Sequence, residues 1–89
     1  MRIISQNGCI DIQYDRARIH ARQNEAYGSE DAYPGAKKWI VEATYHADDD
    51  QFMLATYDTE AEARELVISI ANGWKHNIQV FYCGDKENR

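Results

Sequence analysis

Hydropathy along this chain changes its period once, and that change sets the fold class. In the extended segments between residues 2 and 57 apolar and polar side chains recur with a period of two; from Thr59 to Trp74 the apolar ones recur at a spacing near 3.6. Extended segments therefore come first and one helix follows. The alternation is cleanest at Ala17, Ile19 and Ala21, which face away from Arg16, Arg18, His20 and Arg22. It recurs at Trp39, Val41, Ala43 and Tyr45 against Lys38, Ile40, Glu42 and Thr44. The helical stripe is Ala63, Leu66, Val67, Ile70, Ala71 and Trp74.

Turn residues divide the extended part. A short Ile-rich strand at 2–6 meets Asn7-Gly8, a hairpin signal because both residues tolerate positive φ, and returns over 9–14. Strands are predicted at 16–22, 37–45 and 52–57, the last apolar on both faces and so central. A long loop, 23–36, separates the first two of these, and a polar turn holding Asp48, Asp49 and Asp50 separates the second pair. Thr59 with Glu62 forms a capping box at the helix start, and Asn72-Gly73 reads as its stop. A last strand is predicted at 78–82.

These elements predict an α+β fold: an antiparallel five-stranded meander, then one helix packed on the sheet, then a final strand. One domain spans 1–89, with 84–89 a flexible tail. A helix about 10 Å wide covers only two or three strands spaced about 4.8 Å apart. The apolar surface left over is covered either by curling of the sheet into a partial barrel or by a second copy, and a homo-oligomer, most simply a dimer, is expected.

Charge narrows the partners. Ten Lys and Arg against fifteen Asp and Glu give −5, which excludes a protein that coats nucleic acid through bulk positive charge. Residues 1–47 hold six cations and six acids, whereas 48–89 hold four cations and nine acids. The first half is thus neutral but gathers its cations on one strand face. Cys9 and Cys83, each beside a glycine, read as small buried thiols of a reducing compartment. The opening MRIIS lacks the pattern of a signal peptide, and no apolar run is long enough to span a membrane. A cytoplasmic protein is expected.

The sharpest chemical feature is the stripe Arg16, Arg18, His20 and Arg22. Alternate residues of a strand lie about 6.6–6.8 Å apart, and arginine forks suit phosphate oxygens. Tyr27 and Tyr33 in the long loop, with Trp39 just beyond it, supply rings for stacking on a base. Against this stands a structural role: a charged edge strand whose arginines pair with Glu42, Asp11 or Asp15, and tyrosines that pin the loop. A second candidate surface is acidic: Asp48, Asp49, Asp50, Asp58, Glu60, Glu62 and Glu65. Such a surface can imitate a phosphate backbone, or simply be a solvated helix start. No Gly-rich phosphate loop occurs, and His20, His46, His76, Cys9 and Cys83 lack zinc spacing. No metal, cofactor or catalytic residue is expected, and the protein is read as not an enzyme.

MRIISQNG followed by IDIQY, then LATYDTEAEARELVISI, then the terminal VFYC, resembles a group of small uncharacterised proteins of phages and prophages of Gram-positive bacteria. The likeness covers the two ends of the chain and not residues 16–50. It rests on a turn and a helix cap, so it implies fold and origin, not catalytic residues. It also implies a class: accessory proteins that sequester a nucleotide signal of host immunity or block a host protein, here in the host cytoplasm. The expected function is a phage-type binding protein that sequesters a nucleotide-like anion through Arg16, Arg18, His20, Arg22, Tyr27 and Tyr33. The alternative is an acidic inhibitor, a nucleic-acid mimic, of a host defence protein.

Overall fold

The structure is a computed structural model that describes residues 1–27 and 37–84. The chain runs β1 (Arg2–Ile4), β2 (Asp11–Gln13), a 3-10 turn (Tyr14–Arg16), β3 (Ala17–Gln23), β4 (Trp39–Tyr45), β5 (Gln51–Tyr57), α1 (Glu60–Lys75) and β6 (Val80–Tyr82). Among the described residues this is α+β with one helix. There the five-stranded meander is not formed: six strands divide into two sheets of three, in the orders β2-β1-β6 and β3-β4-β5.

The division has a local cause. After β2 the 3-10 turn redirects the chain, and Ala17 N–H closes that turn on the Tyr14 carbonyl, so β3 leaves without pairing to β2. The edge of β1 that a meander leaves open is taken by β6, which pairs in parallel (Arg2 with Val80, Ile4 with Tyr82) after the crossover through α1. In the second sheet β3 and β4 pair in register from Ala17–Tyr45 to Gln23–Trp39. Between β4 and β5 the register slips beside Val41 and Glu42, a bulge that sets Leu54 between the pairs Val41–Ala55 and Glu42–Met53.

Strand β5 is outermost, not central. Part of its outer edge is closed by Gln6 from the other sheet: Gln6 N–H donates to the Leu54 carbonyl at 2.6 Å, and Thr56 N–H to Gln6 Oε1 at 3.1 Å. A Cβ at Gly84 would lie 2.9 Å from the Gln6 carbonyl oxygen, so this crossing admits only glycine. The first hairpin is also wider than a two-residue turn. Gly8 alone has positive φ, and Asn7 Oδ1 accepts from the Ser5 hydroxyl and the Cys9 N–H while Ile10 N–H donates to Ser5 Oγ.

Helix α1 lies across β3, β4 and β5, and both sheets share one core. Ile3, Ile12 and Phe81 from the first sheet meet Val41, Ala43, Leu54, Leu66 and Ile70 from the second sheet and the helix. The N-cap is Thr59, whose hydroxyl accepts Glu62 N–H and donates to Glu62 Oε1. The helix does not stop at Asn72-Gly73. Gly73 is buried inside it, where an added Cβ would sit 3.2 Å from Phe81 and 3.3 Å from Met1. The stop comes at Asn77 (φ 60), with Asn77 N–H on the Trp74 carbonyl and Ile78 N–H on the Gly73 carbonyl. That pair of bonds is a Schellman motif. Cys83 is buried, but Cys9 is exposed, contrary to the expectation for both thiols. Among the described residues no helix is long and apolar enough to cross a membrane.

Candidate functional site

The two faces of the β3-β4-β5 sheet differ in what they carry. Ala17, Ile19, Ala21, Val41, Ala43 and Ala55 turn toward α1. The opposite face holds Arg18, His20 and Arg22 from β3, and Ile40, Glu42 and Thr44 from β4. Register sets the pairs on that face: Arg18 opposite Thr44, His20 opposite Glu42, Arg22 opposite Ile40.

Glu42 organises the stripe. Its carboxylate is buried, and Oε1 lies 2.8 Å from His20 Nε2 and 3.0 Å from Arg22 Nε, while Arg22 Nη2 donates to Oε2 at 3.2 Å. Burial alone pushes the Glu42 carboxyl up, but the hydrogen bonds and charges of Arg22 and His20 outweigh it and hold the group below the ordinary carboxylate range. The same hydrogen bond raises Arg22. Of the acids expected to pair with the stripe, Glu42 does so; Asp11 is instead held by Arg2 on the first sheet.

The rest of the stripe is looser. Arg18, 61% exposed, reaches Asp49 at 3.8 Å, and that aspartate is 83% exposed. A contact so long and so wet contributes little. Arg16 sits in the 3-10 turn just before β3, exposed, with its carbonyl accepting His46 N–H. The Thr44 hydroxyl is buried on this face with no hydrogen-bond partner among the described residues. Residue order alone did not single out Thr44; its signal is the position two residues after Glu42 and opposite Arg18.

The aromatic residues are distributed differently. Tyr27 is 58% exposed after a turn in which Asn24 Oδ1 accepts Ala26 N–H. Tyr33 lies outside the described residues. Trp39 does not join the stripe: it faces the helix side, packed against the core, because it shares the parity of Val41 and Ala43. The aromatic pair that forms is Tyr14 with Trp74, ring centroids 5.1 Å apart, at the end of α1.

The acidic surface is partly engaged. Asp58 meets Lys37 at 3.7 Å, Glu60 meets Arg64 at 2.7 Å, and Glu62 serves the N-cap. Compared with known proteins, the chain matches no family model, no curated protein and no solved structure.

Proposed function

We propose that this is a phage-type, non-enzymatic binding protein that captures a nucleotide-like anion on the arginine face of β3, counteracting a host defence signal. One observation carries the reading. Arg18 and Arg22 share a face four residues apart on β3, about 13 Å along the strand with His20 between them, Arg22 locked in orientation by the buried Glu42 and Arg18 held by a solvent-exposed aspartate. A prepositioned fork and an exchangeable one at that separation suit two phosphate groups of one ligand. Arg16 extends the row, His20 sits between the forks, and Tyr27 and Tyr33 supply the rings expected to stack on a base.

The alternative, an acidic inhibitor using the helix start and the Asp48–Asp50 turn, is the second reading: Glu62 serves the N-cap and Glu60 pairs with Arg64, while Asp58, 3.7 Å from Lys37 in an exposed contact, stays available. A thermal-shift screen against cyclic dinucleotides and nucleoside triphosphates tests the proposal. Binding raises the melting temperature by mass action, and denaturation then releases the nucleotide unchanged. Arg18→Glu, at an exposed position, removes the shift without unfolding the protein. A screen in which no nucleotide shifts the transition counts against it.

A further inference from the structure

Strand β3 has a second asset that the anion reading does not use. It is seven residues long, pairs with β4 along one edge, and has no strand on its other edge among the described residues. Parity shows which backbone groups that edge presents. The ladder bonds His46 N–H to Arg16 carbonyl and Asn24 N–H to Lys38 carbonyl place the even-numbered residues of β3 in the hydrogen-bonded pairs with β4. The N–H groups of Ile19, Ala21 and Gln23, and the carbonyls of Ala17, Ile19 and Ala21, therefore point outward, while the Gln23 carbonyl accepts from Arg22 Nη1 at 3.1 Å. Such a row is a template for another strand, and β3 carries neither proline nor bulge to blunt it.

The helix overhangs the same edge. Its apolar stripe is wider than the sheet beneath it. Ala63, Leu66, Ile70 and Gly73 are buried, while Val67, half-buried, and Ala71 and Trp74, exposed, form one line along the helix. With Ala17 and Ile19 they wall a groove beside β3, closed at one end by the Tyr14–Trp74 pair and bordered by the opposite charges of Asp15 and Arg18. Trp74 remains 46% exposed there.

Charge decides the occupant. In any antiparallel self-pairing through this edge, odd residues oppose odd and even oppose even. Arg16, Arg18, His20 and Arg22 would then face one another, and like charges directly opposite are destabilising. A second copy is disfavoured by the strand's own pattern. We propose that the open edge of β3 docks an extended peptide segment of another protein in which acidic residues alternate with apolar ones. The acids would lie beside Arg16, Arg18 and Arg22, the apolar residues would fill the groove under Val67, Ala71 and Trp74, and the backbone would extend the sheet.

The test uses a fluorescent synthetic peptide of alternating Glu and Val, a Lys-for-Glu version, and a version N-methylated on the amides that face β3. The Glu peptide binds saturably, the Lys peptide does not, and N-methylation weakens binding by about tenfold or more. In parallel, the amides of Ile19, Ala21 and Gln23 exchange quickly in the free protein and slow by about tenfold on binding. Ala71→Glu blocks the peptide and leaves any nucleotide-induced thermal shift unchanged, so this proposal and the anion reading fail separately. Equal binding of the N-methylated peptide would overturn it in favour of charge alone. So would absence of binding by the Glu peptide, or protected edge amides in a free protein with the mass of two chains.

Discussion

Glu42 shows how one side chain can set the behaviour of a charged face. Buried between His20 and Arg22, it neutralises part of the stripe and fixes the orientation of what remains. Its folded-state pKa lies below the unfolded one. The stabilisation is therefore complete above the unfolded carboxylate value, about 4.3, and is lost as pH falls toward and through the lower folded value. Glu42→Gln is expected to cost about 1–2 kcal/mol at neutral pH, because the Arg22 guanidinium keeps its charge but loses the carboxylate that faces it. The cost shrinks on acidification, since the native carboxyl then titrates as well. Urea melts of both proteins at neutral pH and near pH 3 measure the difference; an equal cost at both would show that charge is irrelevant at this position.

At the scale of elements, the end of α1 separates two conformational demands that composition alone assigns to one glycine. At Gly73 space is tight, because an added Cβ would lie 3.2 Å from the Phe81 ring and 3.3 Å from the Met1 sulfur. Asn77 is required for the left-handed turn, where glycine would serve at least as well. Asn77→Gly is expected to be neutral or stabilising by up to about 0.5–1 kcal/mol. Gly73→Ala gains about 1 kcal/mol of helix propensity but forces a methyl against a fully buried ring, at about 1–3 kcal/mol. The net expectation is a loss, read from the midpoint of chemical denaturation. A stabilised Gly73→Ala protein would mean that Phe81 yields.

For the whole molecule, the junction of the two sheets matters more than either sheet. The first has three strands of three residues each and gains its stability by packing Ile3, Ile12 and Phe81 against the helix and β5. A sheet so small is marginal alone. Phe81→Ala should cost about 3–5 kcal/mol, a large share of the roughly 5–10 available to a chain of this size. It should also release β6 and β1 together, seen as joint loss of amide protection at Ile3 and Phe81. Among the described residues the strands make two sheets of three, not the single six-stranded sheet from which a dimer was expected, and light scattering at micromolar concentration measures the oligomeric state directly.

Much of this could be read from residue order, and the limit is physical. Periodicity assigns each side chain to a face, because the turn of a helix and the pleat of a strand are local geometry. It placed the α1 stripe, the Thr59 cap and the arginines of β3 on their correct faces. It does not name a neighbour. The parallel insertion of β6 beside β1, the choice of Glu42 over Asp11 and Asp15 as the partner of Arg22 and the uncovered line of Val67, Ala71 and Trp74 all depend on which strand lies beside which. That choice is made by contacts far apart in the chain, through the shared packing of Phe81, Gly73 and Ile3 and the hydrogen bonds of Gln6 to β5. Sequence determined what each element presents; the tertiary structure decided to whom.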